Sequence, residues 1–154
     1  MGSNIGDRKQ NISIASGNIN DTIGRIISRS SFYETEPWGF NDENFFLNQS
    51  IIIKTTLTPE TILKELMTIE EMMGRTRKEK RYASRIIDLD ILFYDDMIIE
   101  TPQLIIPHPL LHKRRFVLKP LAEIAPEMIH PVFKKTIHHL LAECDDKMKV
   151  ELFK

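Results

Sequence analysis

The stretch from Gly74 to Tyr94, GRTRKEKRYASRIIDLDILFY, sets a dense basic segment directly before an apolar run that carries only two charges, Asp88 and Asp90. Side chains alternate between the two faces of a strand, so residues two apart point the same way. In a strand over 86–94, Asp88 and Asp90 stand side by side on one face, with Ile87, Leu89, Ile91 and Phe93 on the other. Two adjacent like charges in an apolar strand are costly unless a cation neutralises them. Mg2+ is the natural partner, because it binds through one or two carboxylates plus substrate phosphates. A D-x-D by itself is more often a solvated edge or a turn entry, and a basic run by itself is usually a solvated loop. Their direct succession, with Arg75, Arg77, Lys78, Lys80, Arg81 and Arg85 beside the pair, points to a bound polyphosphate.

Bulk properties narrow the classes. A length of 154 residues fits one domain over 1–154 with a sizeable core, and 42% hydrophobic with 28% charged residues is a globular composition. The formal net charge of -1 argues against a nucleic-acid partner, since the basic residues are local. Cys144, the single cysteine, excludes an intramolecular disulfide and fits a reducing compartment. No apolar stretch reaches the length of a membrane span and no leader pattern opens the chain, so no membrane partner and a cytoplasmic location are expected.

Periodicity supplies an outline. Ile12, Ala15, Ile19, Ile23 and Ile26 step as one helical face. Ser30 to Thr35 reads as extended, Glu36-Pro37-Trp38-Gly39 as a loop, and Phe45 to Thr56 as one long strand. Thr58-Pro59-Glu60 starts a helix with the stripe Ile62, Leu66, Ile69 and Met73, and Gly74 stops it. After the strand 86–94 comes a short extended piece at 97–99. Pro102 to Pro131 holds six of the eight prolines and reads as an irregular arm, and 136–143 forms a final helix. This order predicts an α+β sandwich, an antiparallel sheet with helices packed on one face.

Other residues could add chemistry. Trp38, Phe46 and Phe116 are aromatics able to sandwich a flat heterocycle, with the Asn48 amide to read its edge, although strand aromatics are more often core. Glu70 lies one turn before Gly74, where an exposed helix carboxylate is as good a reading. His108 sits between Pro107 and Pro109, and Arg114-Arg115 form a second basic spot able to clamp phosphate. No histidine has zinc-ligand spacing, and no phosphate-binding G-x-x-x-x-G-K-[ST] or nucleophilic G-x-S-x-G is present.

These blocks together resemble the 6-hydroxymethyl-7,8-dihydropterin pyrophosphokinase family. The matching runs are Gly2-Ser3-Asn4-Ile5-Gly6-Asp7-Arg8, Tyr33-Glu34-Thr35-Glu36-Pro37-Trp38-Gly39, Phe46-Leu47-Asn48, Glu70, Gly74-Arg75-Thr76-Arg77 and Arg85-Ile86-Ile87-Asp88-Leu89-Asp90. Ile106-Pro107-His108-Pro109, Arg114-Arg115-Phe116-Val117-Leu118 and Pro120-Leu121-Ala122-Glu123-Ile124-Ala125-Pro126 complete the set. The resemblance implies a ferredoxin-like α+β sandwich. It implies transfer of pyrophosphate from ATP to the pterin hydroxymethyl group with release of AMP, and small-molecule partners only, in a monomer. It assigns Asp88 and Asp90 to two Mg2+ ions, Arg75 and Arg85 to catalysis, and Glu70, Arg77, Tyr82, Ile91, His108 and Arg114 to ATP. Thr35, Pro37, Trp38, Phe46, Asn48, Asp88 and Phe116 fall to the pterin.

Three departures accompany it. Family members carry an apolar strand before the Gly-Ser-Asn block, which is expected to be missing here. The family's Arg-Trp-Gly-Pro-Arg loop reads Arg81-Tyr82-Ala83-Ser84-Arg85, and Met67 stands where some members have Gln. Two rival readings stand beside it. A nucleotidyltransferase also uses Gly-Ser and D-x-D, but close together, whereas Ser3 and Asp88 lie far apart. A pterin- or nucleotide-binding protein of the same fold with impaired catalysis is the other.

Overall fold

The computed structural model describes residues 1–37, 44–75 and 84–154. Asp7 caps the first helix, its carboxylate accepting the Gln10 N–H at 2.9 Å, and α1 runs over Arg8–Thr22. Thr58 caps α2, Pro59–Met72, in the same manner, accepting the Thr61 N–H with Pro59 just inside. Gly74, at φ +98°, ends that helix in a conformation closed to most side chains.

Among the described residues a four-stranded antiparallel sheet has the order β1 (Gly2–Ser3), β4 (Phe46–Asn48), β3 (Tyr33–Thr35) and β8 (Val150–Leu152). The strands β2 (Arg25–Arg29) and β5 (Ile51–Lys54) form a second antiparallel pair, and β6 (Ile99–Glu100) with β7 (Ile105–Ile106) a third. The long strand expected over 45–56 is therefore two strands. Ser30 explains the break: its N–H donates to the Ser50 carbonyl at 2.9 Å and its hydroxyl accepts the Ser50 N–H at 3.0 Å, while the Gln49 amide donates to the Ser30 carbonyl at 2.8 Å. The two side-chain bonds, from the Ser30 hydroxyl and the Gln49 amide, take the place of ladder bonds where β4 passes into β5.

The run 86–94 also differs from the expected strand. Asp88 alone bridges, exchanging both backbone bonds with Gly2 at 2.9 and 2.8 Å. Beyond it the backbone turns to other partners: the Leu89 N–H donates to Glu70 and the Leu92 carbonyl accepts from His108. The Gly-Ser-Asn block thus itself supplies a short strand, β1, between β4 and Asp88. The arm 102–131 holds a helix, α3 (Arg115–Ile124), despite Pro120 within it, because its apolar face buries Leu118 and Leu121. The last helix, α4, covers Ile137–Glu143.

Helices lie on both faces of the sheet, not one. Alternation along β4 sends Leu47 into a core with Ile12, Ile19, Leu66, Ile69 and Ile87 from the side of α1 and α2. Phe46 and Asn48 face the other way, toward Phe116 and Val117 of α3. A second core joins Leu111, Leu118, Leu121, Ile137, Leu140 and Cys144. No helix among the described residues is long and apolar enough to cross a membrane.

Candidate active site

Three short elements meet where β1 lies beside Asp88. From β1, Gly2 touches Asn48 so closely that an added Cβ would stand 2.9 Å from the Asn48 Oδ1. The Asn48 amide is fixed by donating to Thr35 Oγ1 at 2.9 Å, and both residues are buried. Glycine at position 2 is what lets this amide face the site, a requirement invisible until the two strands are paired.

The charged part centres on Asp88. Its Oδ1 lies 2.9 Å from Arg75 Nη1 and 2.8 Å from Arg85 Nη1, so both arginines converge on one carboxylate oxygen. Arg75 also pairs with Glu70, near the end of α2. Glu70 is 8% exposed and its Oε1 accepts the Leu89 N–H at 2.7 Å. Burial pushes the Glu70 carboxyl above its ordinary range, against the opposing pull of the Leu89 N–H and Arg75. Burial alone would lower the Arg75 pKa, but Asp88 and Glu70 together hold it above the ordinary arginine value.

Two concavities open on either side of this centre. One, of about 120 Å³, is lined by Thr35, Phe46, Asn48, Arg114 and Phe116. The other, of about 490 Å³, is lined by Met67, Glu70, Glu71 and Arg75. Arg85, Asp88 and Asp90 line both, and so form the wall between them. The first has an aromatic, amide-edged lining suited to a flat heterocycle. The second carries the charges of Glu70, Glu71 and Arg75 beside an apolar floor of Leu63, Leu66 and Met67. Arg114 lies 5.8 Å from the centre of the Phe116 ring, joining cation and aromatic at the start of α3.

His108 is half-buried close to this wall. Its Nδ1 accepts the Leu110 N–H at 3.1 Å, which leaves Nε2 to carry the proton of the neutral ring. Burial lowers its pKa; Asp90 opposes that and Arg114 reinforces it.

Asp88 and Asp90 present hard oxygen donors toward both concavities. Among the described residues no group of three or more His, Cys, Asp and Glu could hold an ion alone. A two-carboxylate set fits Mg2+, which completes its octahedron with water and phosphate oxygens, and does not fit a caged calcium or zinc site.

Of the residues expected from the sequence, the structure brings together Thr35, Phe46, Asn48, Glu70, Arg75, Arg85, Asp88, Asp90, Arg114 and Phe116. Pro37 is half-buried just beyond β3. Ile91 lines neither concavity and packs against the first core. Trp38, Arg77 and Tyr82 lie outside the described residues. Sequence reasoning assigned no role to Gly2, Asn4, Glu36 or Gln49; Gly2, Glu36 and Gln49 line the aromatic concavity. The Gly-Ser-Asn block was the available signal, but strand pairing with β4 was needed to give it meaning.

The family model of 7,8-dihydro-6-hydroxymethylpterin-pyrophosphokinase (HPPK) matches residues 1–126. The 2-amino-4-hydroxy-6-hydroxymethyldihydropteridine pyrophosphokinase of Methylorubrum extorquens is 40% identical over 146 residues, covering 94% of this chain and 90% of the relative. Its Bacillus subtilis counterpart is 44% identical over 129 residues, covering 83% and 77%. Among solved structures, an HPPK-DHPS in complex with substrates superposes with a TM-score of 0.71 at 18% identity over 92% of this chain, and Plasmodium falciparum HPPK-DHPS with pteroate with 0.73 at 21% over 92%. The chain spans 42% and 41% of those longer chains, and the likeness is one of fold.

Proposed function

This chain belongs to the 7,8-dihydro-6-hydroxymethylpterin-pyrophosphokinase family, and we propose that it transfers pyrophosphate from ATP to 6-hydroxymethyl-7,8-dihydropterin, releasing AMP, in tetrahydrofolate biosynthesis. The observation that carries this reading is the shared wall: Arg85, Asp88 and Asp90 line both the aromatic and the charged concavity, so two substrates meet at one carboxylate–guanidinium cluster.

Phe46 and Phe116 hold the pterin ring between them and Asn48 bonds its edge, with Thr35, Pro37 and Trp38 lining that side. Glu70, Arg77, Tyr82 and His108 serve the nucleotide, with Arg114 reaching it from the aromatic side, while Ile91 only backs the site from the core. The pterin hydroxyl attacks the β-phosphorus in line. The new oxygen–phosphorus bond forms as the bond from the β-phosphorus to the α–β bridging oxygen breaks, and AMP leaves with that oxygen. The hydroxyl proton passes to solvent, and no covalent enzyme intermediate forms. Phosphoryl-type transfer depends on positioning and charge stabilisation. Arg75 and Arg85 supply this from one side of Asp88. Two Mg2+ ions, held by Asp88 and Asp90, would neutralise phosphate charge when bound. The chain works as a monomer in the cytoplasm on these small molecules.

Incubation with ATP, Mg2+ and the pterin, followed by mass measurement of the pterin, tests this. A pterin carrying two added phosphoryl groups is expected; an unchanged pterin that still binds points to a binding protein with impaired catalysis.

A further inference from the structure

Resting on the reading of Arg85 as catalytic, we infer that Asn4 is the positioning residue that holds Arg85 in place. Asn4 follows β1 directly and is 2% exposed. It grips the Arg85 backbone on both of its polar groups. The Asn4 N–H donates to the Arg85 carbonyl at 3.0 Å, and the Arg85 N–H donates to the Asn4 Oδ1 at 2.6 Å. The amide nitrogen on the other side of the same group donates to the Ser84 hydroxyl at 3.2 Å and to the Asn44 carbonyl at 3.3 Å.

This arrangement needs an asparagine. One short side chain must accept from one backbone and donate to another, which alanine cannot do, and which aspartate does only in the accepting half. The support beneath it is rigid. Gly2 is bonded to Asp88 through both backbone groups, and the Asn11 amide donates to Ser3 Oγ at 3.2 Å and to the Ile5 carbonyl at 2.8 Å. Asn4 therefore refers the Arg85 backbone to the same strand that positions Asp88, three residues on. With both ends of the Arg85–Asp88 pair fixed to β1, the guanidinium meets the carboxylate at 2.8 Å. Through Asn44 the same side chain also reaches the segment that leads into β4 and its Phe46 and Asn48, so the two concavities share one anchor.

A residue that merely completes the core would lower stability and leave the Arg85 effect untouched. A positioning residue loses its influence once Arg85 is gone. The test measures kcat and both KM values for the wild type, Asn4→Ala, Arg85→Ala and the double variant. Asn4→Ala should lose roughly 10²-fold in kcat, the scale set by an ångström of misplacement, with both KM values little changed. The double variant should be no slower than Arg85→Ala. Losses that multiply, or an Asn4→Ala with wild-type kcat, overturn the inference. Where Asn4→Ala does not fold, Asn4→Leu, which keeps the shape but has no acceptor for the Arg85 N–H, enters the same cycle and must show the same non-additivity. Amide exchange gives a readout that does not need turnover: in the Asn4 variant, protection at the Arg85 N–H should fall while that at Asp88, bonded to Gly2, persists. Unchanged protection at Arg85 overturns the clamp. An Arg85→Ala with undiminished turnover overturns instead the catalytic role on which the inference rests.

Discussion

Glu70 Oε1 accepts the backbone N–H of Leu89 at 2.7 Å, tying the end of α2 to the residue between the two aspartates. The same carboxylate pairs with Arg75, which in turn reaches Asp88. A helix carboxylate thereby orients the D-x-D segment from behind as well as one of its arginines.

This bond makes Glu70→Ala and Glu70→Gln distinguishable. Glutamine keeps an oxygen for Leu89, whereas alanine leaves a buried N–H without an acceptor at a cost of about 1–3 kcal/mol, with roughly 2–4 °C in Tm for each kcal/mol. Thermal melts should therefore rank wild type and Glu70→Gln together, with Glu70→Ala clearly lower. Equal melting of Glu70→Ala and wild type would deny the bond any weight.

Asp90 is the more exposed of the two aspartates and has no structural ion pair to lose among the described residues. Asp90→Asn should lower the melting temperature only slightly, since the substitution removes a longer-range pull on Arg75 and His108 but no direct ion pair. The Mg2+ concentration for half-maximal rate should rise at least about 10-fold, since even changes among the hydrogen-bond partners of metal ligands cost that much. An unaltered Mg2+ dependence would remove Asp90 from the metal site.

Phe116, from α3, lines the aromatic concavity together with Phe46. Truncation to alanine should weaken pterin binding about 3- to 10-fold, the value of one aromatic stack. Nucleotide affinity should change less. Titration calorimetry with each substrate separates the two, and equal losses for both would contradict the assignment of the two concavities.

Glu123 and Tyr33 predict a pH signature away from the site. Glu123 accepts from the Ser31 N–H at 3.0 Å and from the Tyr33 hydroxyl at 2.8 Å, binding α3 to β3. Burial, then the Glu123 carboxylate, raise the Tyr33 pKa to about 12. The folded state thus keeps a proton that the unfolded chain releases near its ordinary value of 10.0, so this stabilisation is complete below that value and is lost as pH rises toward 12. For Glu123, burial works upward, but the Ser31 and Tyr33 bonds outweigh it and its pKa is lowered. Its contribution is present above the ordinary 4.5 and fades as pH falls below it. Denaturant unfolding across pH should show both losses in the wild type. Tyr33→Phe should lack the alkaline one and Glu123→Gln the acid one.

What the sequence made legible follows distance along the chain. Asp88, Asp90, Arg85 and Arg75 lie within one short stretch, so local alternation and charge density were enough to group them. Glu70 was ambiguous because only its contact with Leu89 distinguishes it from a solvated helix carboxylate. Two elements were hidden by composition. Pro120 masked α3, whose stability comes from burying Leu118 and Leu121, and the three residues of β8 carry no periodic signal without β3 beside them. Gly2 and Asn4 acquire meaning only through pairings with Asn48 and Arg85, more than forty residues away. The division of 45–56 into β4 and β5 depended likewise on Ser30 reaching Gln49 and Ser50.

On the proposed function, one carboxylate–guanidinium wall joins a pterin to the β-phosphorus of ATP. The most direct test of this follows the nucleotide product when the chain is mixed with ATP, Mg2+ and 6-hydroxymethyl-7,8-dihydropterin. AMP should appear in step with the loss of pterin, one for one. ADP in place of AMP, or AMP formed equally fast without the pterin, would contradict it.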